Sequence, residues 1–432
     1  MITMNFKIKN FLLLCFVLFV VSCSTGNSDS VADKRLQTLL TGKDFFKFRT
    51  ELNKAQDKLS EDRLLYYKAH NDHLFNNSQA SNDHIKKLLD NYKNKFNDTV
   101  IAEILTIKAN NDIRLYDYKN AADVCRQIVE QYSNVLDSTE IENLENSYQL
   151  WKPLSSVKPQ RIHKSGDAEI AAYYNRLHHL MVPVKCGGTE HDFIFDTGAN
   201  LSTIGESFAA QMGLTIYESE IEVGTATHVK IKTKLAVADT FYIGSLMFKN
   251  VIFLVAFDEY LSIPEIDYHI KGIIGLPVIY QMEEIHMFKD GKIFTPEKIQ
   301  RKDLHNMCLE GLNPIVQMIS GNDTLLLAMD TGAVSSDLSK QYFEKHKEEL
   351  GKSAKLIDAR RGGAGGVIDV KEYRIENFPF VIGTKSGVLS QMRVSTEEFS
   401  FNKNFDGNLG QDVFKSFDEM ILNFKDLYID FN

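Results

Sequence analysis

Phe193-Ile194-Phe195-Asp196-Thr197-Gly198-Ala199 returns 134 positions later as Leu327-Ala328-Met329-Asp330-Thr331-Gly332-Ala333. Upstream of each copy stands a turn-like segment, Gly187-Gly188-Thr189 and Gly321-Asn322-Asp323. Downstream comes an apolar-to-glycine step, Ile273-Ile274-Gly275 and Asn408-Leu409-Gly410. Asp196 and Gly275 are 79 positions apart, and Asp330 and Gly410 are 80. One Asp-Thr-Gly would say little, because Asp and Gly favour tight turns anyway. A turn does not need the same tripeptide twice with the same distant partner, so the two stretches read as duplicates of one β unit.

Outside this repeat the composition changes. Of 25 glycines, 23 lie from Gly166 onward, none falls between Lys43 and Ser165, and the first proline is Pro153. The Gly-free stretch carries helical periodicity, clearest in the stripe Ala121, Val124, Cys125, Ile128, Val129 and Tyr132. Helices are predicted over 32–41, 44–58, 61–76, 81–96, 99–114, 118–133 and 138–149. The pair around Tyr116-Asp117-Tyr118-Lys119-Asn120-Ala121-Ala122 resembles one tetratricopeptide hairpin without the motif's glycine. A plain antiparallel array of hairpins fits as well. Trp151 to Pro159 reads as a linker from its prolines and serines. Beyond it, short apolar runs such as Met181-Val182-Pro183-Val184 and Val251-Ile252-Phe253-Leu254-Val255, separated by Gly and Asn turns, read as strands.

With 44% hydrophobic and 25% charged residues, the chain is globular rather than disordered, collagen-like or polytopic. Its 432 residues suggest about three domains. The net charge of −9 and the lack of a dense Lys/Arg cluster argue against a nucleic-acid partner. Cys15, Cys23, Cys125, Cys186 and Cys308 form no CxxC pair, which disfavours a zinc site or a disulfide framework. His178 and His179 are adjacent and outside any HExxH frame, so no metal is expected.

The N-terminus reads as an address. Lys7 and Lys9 precede the apolar run Phe11 to Val21, which is too short to span a bilayer. Val20-Val21-Ser22-Cys23 resembles the lipobox of bacterial lipoproteins, which implies lipidation of Cys23 and a flexible tether over Ser24 to Ser30. An ordinary secretory signal with a coincidental cysteine, or an uncleaved anchor, is the alternative. The lipoprotein reading places the protein in the cell envelope. By analogy with known lipoproteins, Ser24 in place of an acid favours the outer membrane.

The repeat resembles the aspartic proteases from about Ala172 to Asn432. The Asp-Thr-Gly-Ala form and short lobes are similar to retropepsins, and two lobes in one chain are similar to pepsins. The resemblance implies that Asp196 and Asp330 form a catalytic dyad. Thr197 and Thr331 would lock the two loops together, with Gly198 and Gly332 in the same loops. Gly275 and Gly410 would admit a neighbouring strand beneath each loop. The chemistry also stands without the name. Hydrolysis of a peptide without metal or covalent nucleophile needs a base for water and an acid for the carbonyl oxygen. Two carboxyls about 3 Å apart share one proton and supply both. No cofactor is implied.

Two candidate flaps lie between each Asp and its glycine. The first is Glu222-Val223-Gly224-Thr225-Ala226-Thr227 and the second Gly362-Gly363-Ala364-Gly365-Gly366. Gly224, Thr225, Gly363 and Gly365 would touch an extended peptide in the manner of strand addition. The first lacks the tyrosine expected of pepsins, and the second also reads as a surface loop. It is no phosphate loop, since no Lys-Ser/Thr follows it.

The expected organisation is α+β and multidomain: signal peptide 1–22, tether 23–31, helical domain 32–150, linker 151–171, and two all-β protease lobes at 172–300 and 301–432. The function expected is an aspartic endopeptidase acting on peptide or protein, with a monomeric active site built from both aspartates of one chain. A helical domain dispensable for the chemistry goes with it, as a packing or spacer domain or as a peptide-docking surface for a protein partner. The rivals are a peptide-binding envelope lipoprotein on the same fold and a helical adaptor. A haloacid-type phosphatase would need an acid where Gly198 stands. Ala199 and Ala333 take the place of the serine or threonine that many pepsins put next to the tripeptide. They deprive the carboxylates of a donor, so an optimum at about pH 5 to 7 is expected.

Overall fold

The computed structural model describes residues 28–224, 230–363, 365–398 and 405–432. The signal segment, Cys23 and Thr225 lie outside the described residues. Seven helices come first: α1 (Ser30–Thr41), α2 (Phe45–Ala55), α3 (Glu61–Leu74), α4 (Ser78–Tyr92), α5 (Asp98–Arg114), α6 (Tyr118–Tyr132) and α7 (Ser138–Trp151). Ser30 and Val31, read as tether, already belong to α1, because the Asp29 carboxylate caps it by accepting from the Val31 and Ala32 amides. Helices α2, α4 and α6 stop short of the predicted ends and tighten into 3-10 turns at Gln56–Lys58, Lys93–Lys95 and Ser133–Val135. The next residues, Leu59, Phe96 and Leu136, turn extended and pack against the helices. That burial ends each helix.

The turns joining α1 to α2, α3 to α4 and α5 to α6 are the same. Lys43, Asn76 and Tyr116 each take a left-handed conformation, with φ of 57°, 61° and 59°. The amide after each donates to a carbonyl five residues back: Asp44 to Leu39, Asn77 to Asp72 and Asp117 to Asp112. Three equivalent hairpins therefore stand where the sequence showed one.

The β-rich region has three main sheets. The first half builds nine strands, including Leu180–Cys186, Thr189–Phe195, Ser202–Gly205, Thr215–Gly224, Lys230–Ile243, Leu246–Ala256 and Gly272–Ile274. Eight strands between Met307 and Leu409 form the second. A five-stranded sheet joins them: Glu284–Phe288 of the first half pairs with Glu419–Asn423 of the second, Ile285 opposite Leu422 and Met287 opposite Met420. The division drawn at residue 300 thus separates the repeats in sequence but does not separate the sheets.

The segment 151–171 is not a free linker. Trp151 and Leu154 are buried, Arg161–His163 joins the nine-stranded sheet through Lys249 to Met247, and Ala168–Ile170 edges the joining sheet through Ile293 to Thr295.

The helical array lies against both halves. Phe45 of α2 and Leu74 of α3 pack on Cys308, Ile315 and Ala328 of the second half. Tyr118 of α6 and Trp151 of α7 pack on Ile221, Leu235 and Val237 of the first. The three left-handed turn residues all reach the β region. Lys43 pairs with Glu310 at 3.3 Å, the Asn76 amide donates to the Phe424 carbonyl, and the Tyr116 hydroxyl donates to the Pro277 carbonyl at 2.8 Å. Arg114 is buried at the same seam and donates to the carbonyls of Gly311 and His73. Cys125, Cys186 and Cys308 are buried free thiols.

Candidate active site

Each Asp-Thr-Gly follows a strand that runs parallel to the short strand before its partner glycine. Phe195 stands opposite Ile274, and Met329 opposite Leu409. The Asp196 amide donates to the Ile274 carbonyl and the Asp330 amide to the Leu409 carbonyl, both at 3.0 Å. The loops close when Leu276 N–H donates to the Ala199 carbonyl and Gln411 N–H to the Ala333 carbonyl. A Cβ at Gly275 would stand 2.6 Å from the Leu201 carbonyl carbon, and one at Gly410 2.5 Å from that of Ser335. Glycine is required at both positions because backbone already fills the space.

The two loops lock reciprocally. The Thr197 hydroxyl donates to the Met329 carbonyl at 2.9 Å and accepts from the Thr331 amide at 3.1 Å. The Thr331 hydroxyl donates to the Phe195 carbonyl at 2.8 Å and accepts from the Thr197 amide at 3.0 Å. Both threonines are fully buried, so the two hydroxyls satisfy four buried backbone groups at the interface of the loops.

The lock sets the carboxyls of Asp196 and Asp330 side by side, each against the glycine of the opposite loop, and two carboxyls brought together in this way favour holding one proton between them. Asp196 also accepts from the Gly198 amide at 2.8 Å, and Asp330 from the Ala333 amide at 2.9 Å. Burial pushes the Asp196 carboxyl above its ordinary value, and the Gly198 amide works against the rise. Asp330 is raised well above its ordinary value, first by burial and then by the charge of Asp196. Both aspartates are partly exposed. The arrangement can take a proton from water with one carboxyl and give one with the other.

Ser202 and Ser336 escaped the sequence reading. Each is six residues after its aspartate, and each hydroxyl accepts the amide of the partner glycine, Gly275 at 3.1 Å and Gly410 at 2.8 Å. The matched serine was a visible signal. Asp412 has no acidic counterpart in the first half, where Pro277 stands; it accepts from the Ser336 hydroxyl at 2.6 Å.

The candidate flaps differ in placement. Gly224 ends the strand Thr215–Gly224 and pairs with Lys230. Gly363 pairs with Gly366 at the end of the hairpin formed by Lys355–Gly363 and Gly366–Ile382, and the Gly365 amide donates to the Tyr260 carbonyl of the first half at 3.1 Å. A cavity of about 760 Å³ lies away from the dyad, between α4, α5, α6 and the 155–159 segment. Among the described residues no cluster of three His, Cys, Asp or Glu side chains could hold a metal ion.

Two interlocked Asp-Thr-Gly loops, each closed over a parallel strand and a glycine, define an aspartyl-protease-like β region. Residues 182–278 match the family model described as aspartyl protease, a span that includes Asp196, Thr197, Gly198, Gly224 and Gly275. A comparison with curated proteins finds no match. The second aspartate lies outside the matched span and is placed by the internal repeat and the lock.

Proposed function

We propose that the protein is an aspartic endopeptidase in which Asp196 and Asp330 share one proton. The observation that carries this reading is the reciprocal Thr197–Thr331 lock, which brings the two carboxyls together, each against the glycine of the opposite loop. The ionised carboxyl takes a proton from a water placed between the pair while the protonated one donates to the carbonyl oxygen of the scissile peptide. The tetrahedral intermediate then collapses as the amine leaves with a proton. No acyl-enzyme forms, and the chemistry needs no metal or organic cofactor. Asp196→Asn and Asp330→Asn should each abolish cleavage of a peptide library while preserving the fold, and a peptide mimic with a hydroxyl at the scissile position should inhibit the wild type. Substantial turnover by either variant would reject the mechanism.

We also propose an envelope lipoprotein, anchored through Cys23 and facing protein or peptide substrates outside the cytoplasm. The reading is supported by the sequence Val20-Val21-Ser22-Cys23. Metabolic fatty-acid labelling should mark the wild type and not Cys23→Ser; an unlabelled wild type would remove the anchor.

A further inference from the structure

The two candidate flap hairpins are held by different physics. In the first half, Ile221, Leu235 and Val237 are buried against Trp151, Tyr148 and Leu150, and Lys230 pairs with Glu142 of α7 at 2.5 Å. In the second half, the strand Lys355–Gly363 contains no buried side chain at all, and along the stretch paired with it the partner strand buries only Val370 and Glu372. It is held by Arg361, whose guanidinium donates to Asp337 at 3.1 Å, to Glu372 at 3.2 Å and to the Ser395 hydroxyl at 2.8 Å. Asp337 and Glu372 are almost fully buried.

The fold does not demand this cluster. In the first half Thr203 pairs with Leu254 and Ile273 where the second pairs Asp337 with Arg393 and Asn408. Thr233 likewise pairs with Ala256 where Glu372 pairs with Ser395. Burying two carboxylates and a guanidinium gains little stability over apolar packing, so their use here points to placement. Asp337 lies one residue beyond Ser336, whose hydroxyl braces Gly410 under the Asp330 loop. Arg361 therefore fixes the hairpin to the same strand that supports the aspartate. Beyond Arg361 the hairpin reaches the first half through Gly365 and Tyr260.

We infer that Arg361 is a positioning residue: by tying the second hairpin to the strand that follows the Asp330 loop, it holds that hairpin across to the first half and over a bound peptide. The hairpin of the second half is then the element that grips and releases substrate, while the first stays fixed to the helical array. The inference rests on the proteolytic reading, so its test has an arm independent of turnover. In hydrogen exchange on the full chain, Arg361→Ala should speed exchange about tenfold across 355–372 and leave 215–243 unchanged. With a peptide substrate, KM should rise about tenfold with kcat within about threefold, and Arg361→Lys should recover part of the loss. Ser395→Ala, which removes one acceptor and no charge, gives the same pattern at smaller amplitude and serves if Arg361→Ala does not fold. Unchanged exchange at 355–372, or equal loosening of both hairpins, would overturn the inference. A fall in kcat at constant KM would overturn it too. A wild type that cleaves nothing would reject the protease while the exchange result still decides the role of Arg361.

Discussion

A Cβ on Gly332 would stand 2.5 Å from the carboxyl carbon of Asp196, and one on Gly198 would stand 2.8 Å from that of Asp330. Each glycine is thus the floor on which the opposite aspartate rests. Gly332→Ala should displace Asp196 and lower kcat about 100-fold, since catalytic groups misplaced by about 1 Å lose that much. The fold should survive. Gly198→Ala, with slightly more room, should lose less. Steady-state kinetics with circular dichroism checks both.

Thr331→Val keeps the shape of the side chain but orphans the Phe195 carbonyl and the Thr197 amide. Leaving two buried groups unpaired should cost about 2 to 4 kcal/mol in urea unfolding. Thr331→Ser, which retains the hydroxyl, should recover most of it.

The dyad makes stability depend on pH in a defined direction. Both carboxyls are raised in the folded protein, Asp330 strongly. The folded state therefore keeps a proton that the unfolded chain releases near its ordinary value of about 4. Stability is fullest below that value and falls as pH climbs toward the raised value of the pair. Asp330→Asn removes this loss, so it should melt above the wild type at pH 7 and level with it near pH 3. Among the described residues no side-chain hydroxyl donates to either carboxyl, in line with Ala199 and Ala333 in the loops. Activity should accordingly peak at about pH 5 to 7, with limbs on both sides. An optimum below about pH 3.5 would contradict this account of the alanines.

The helical array packs on both halves of the β region. Removing residues 30–150 would bare Ile221, Leu235, Val237, Ile252, Ile315 and Ala328, which the helices cover. The truncated β region should be insoluble or aggregated on gel filtration. Trp151→Ala, which loses the stack on Tyr118 at 5.5 Å, should destabilise the whole chain by about 3 to 5 kcal/mol.

The sequence carried the site further than it carried the arrangement. Gly198, Gly275, Gly332 and Gly410 were legible because close approach of backbone or carboxyl leaves glycine no substitute. Ser202 and Ser336 obey the same repeat and were readable by the same rule. Arg161–His163 was not, since three residues are too few to show a strand period, and its partner lies more than 80 residues away. Lys43 and Tyr116 break the local preference for Gly or Asn in a left-handed turn because their side chains find partners in the β region, which no local pattern announces. The Arg361 cluster was hidden for the same reason: its acids come from Asp337 and Glu372, on separate strands.

The sheet that joins the halves has a thermal consequence. With Glu284–Phe288 hydrogen-bonded along its length to Glu419–Asn423, and with helices nailed to both sides of that seam, neither half has a boundary at which it can melt alone. Heating the protein in a calorimeter should give one endotherm whose van't Hoff and calorimetric enthalpies agree, in place of the staggered peaks expected of beads on a string.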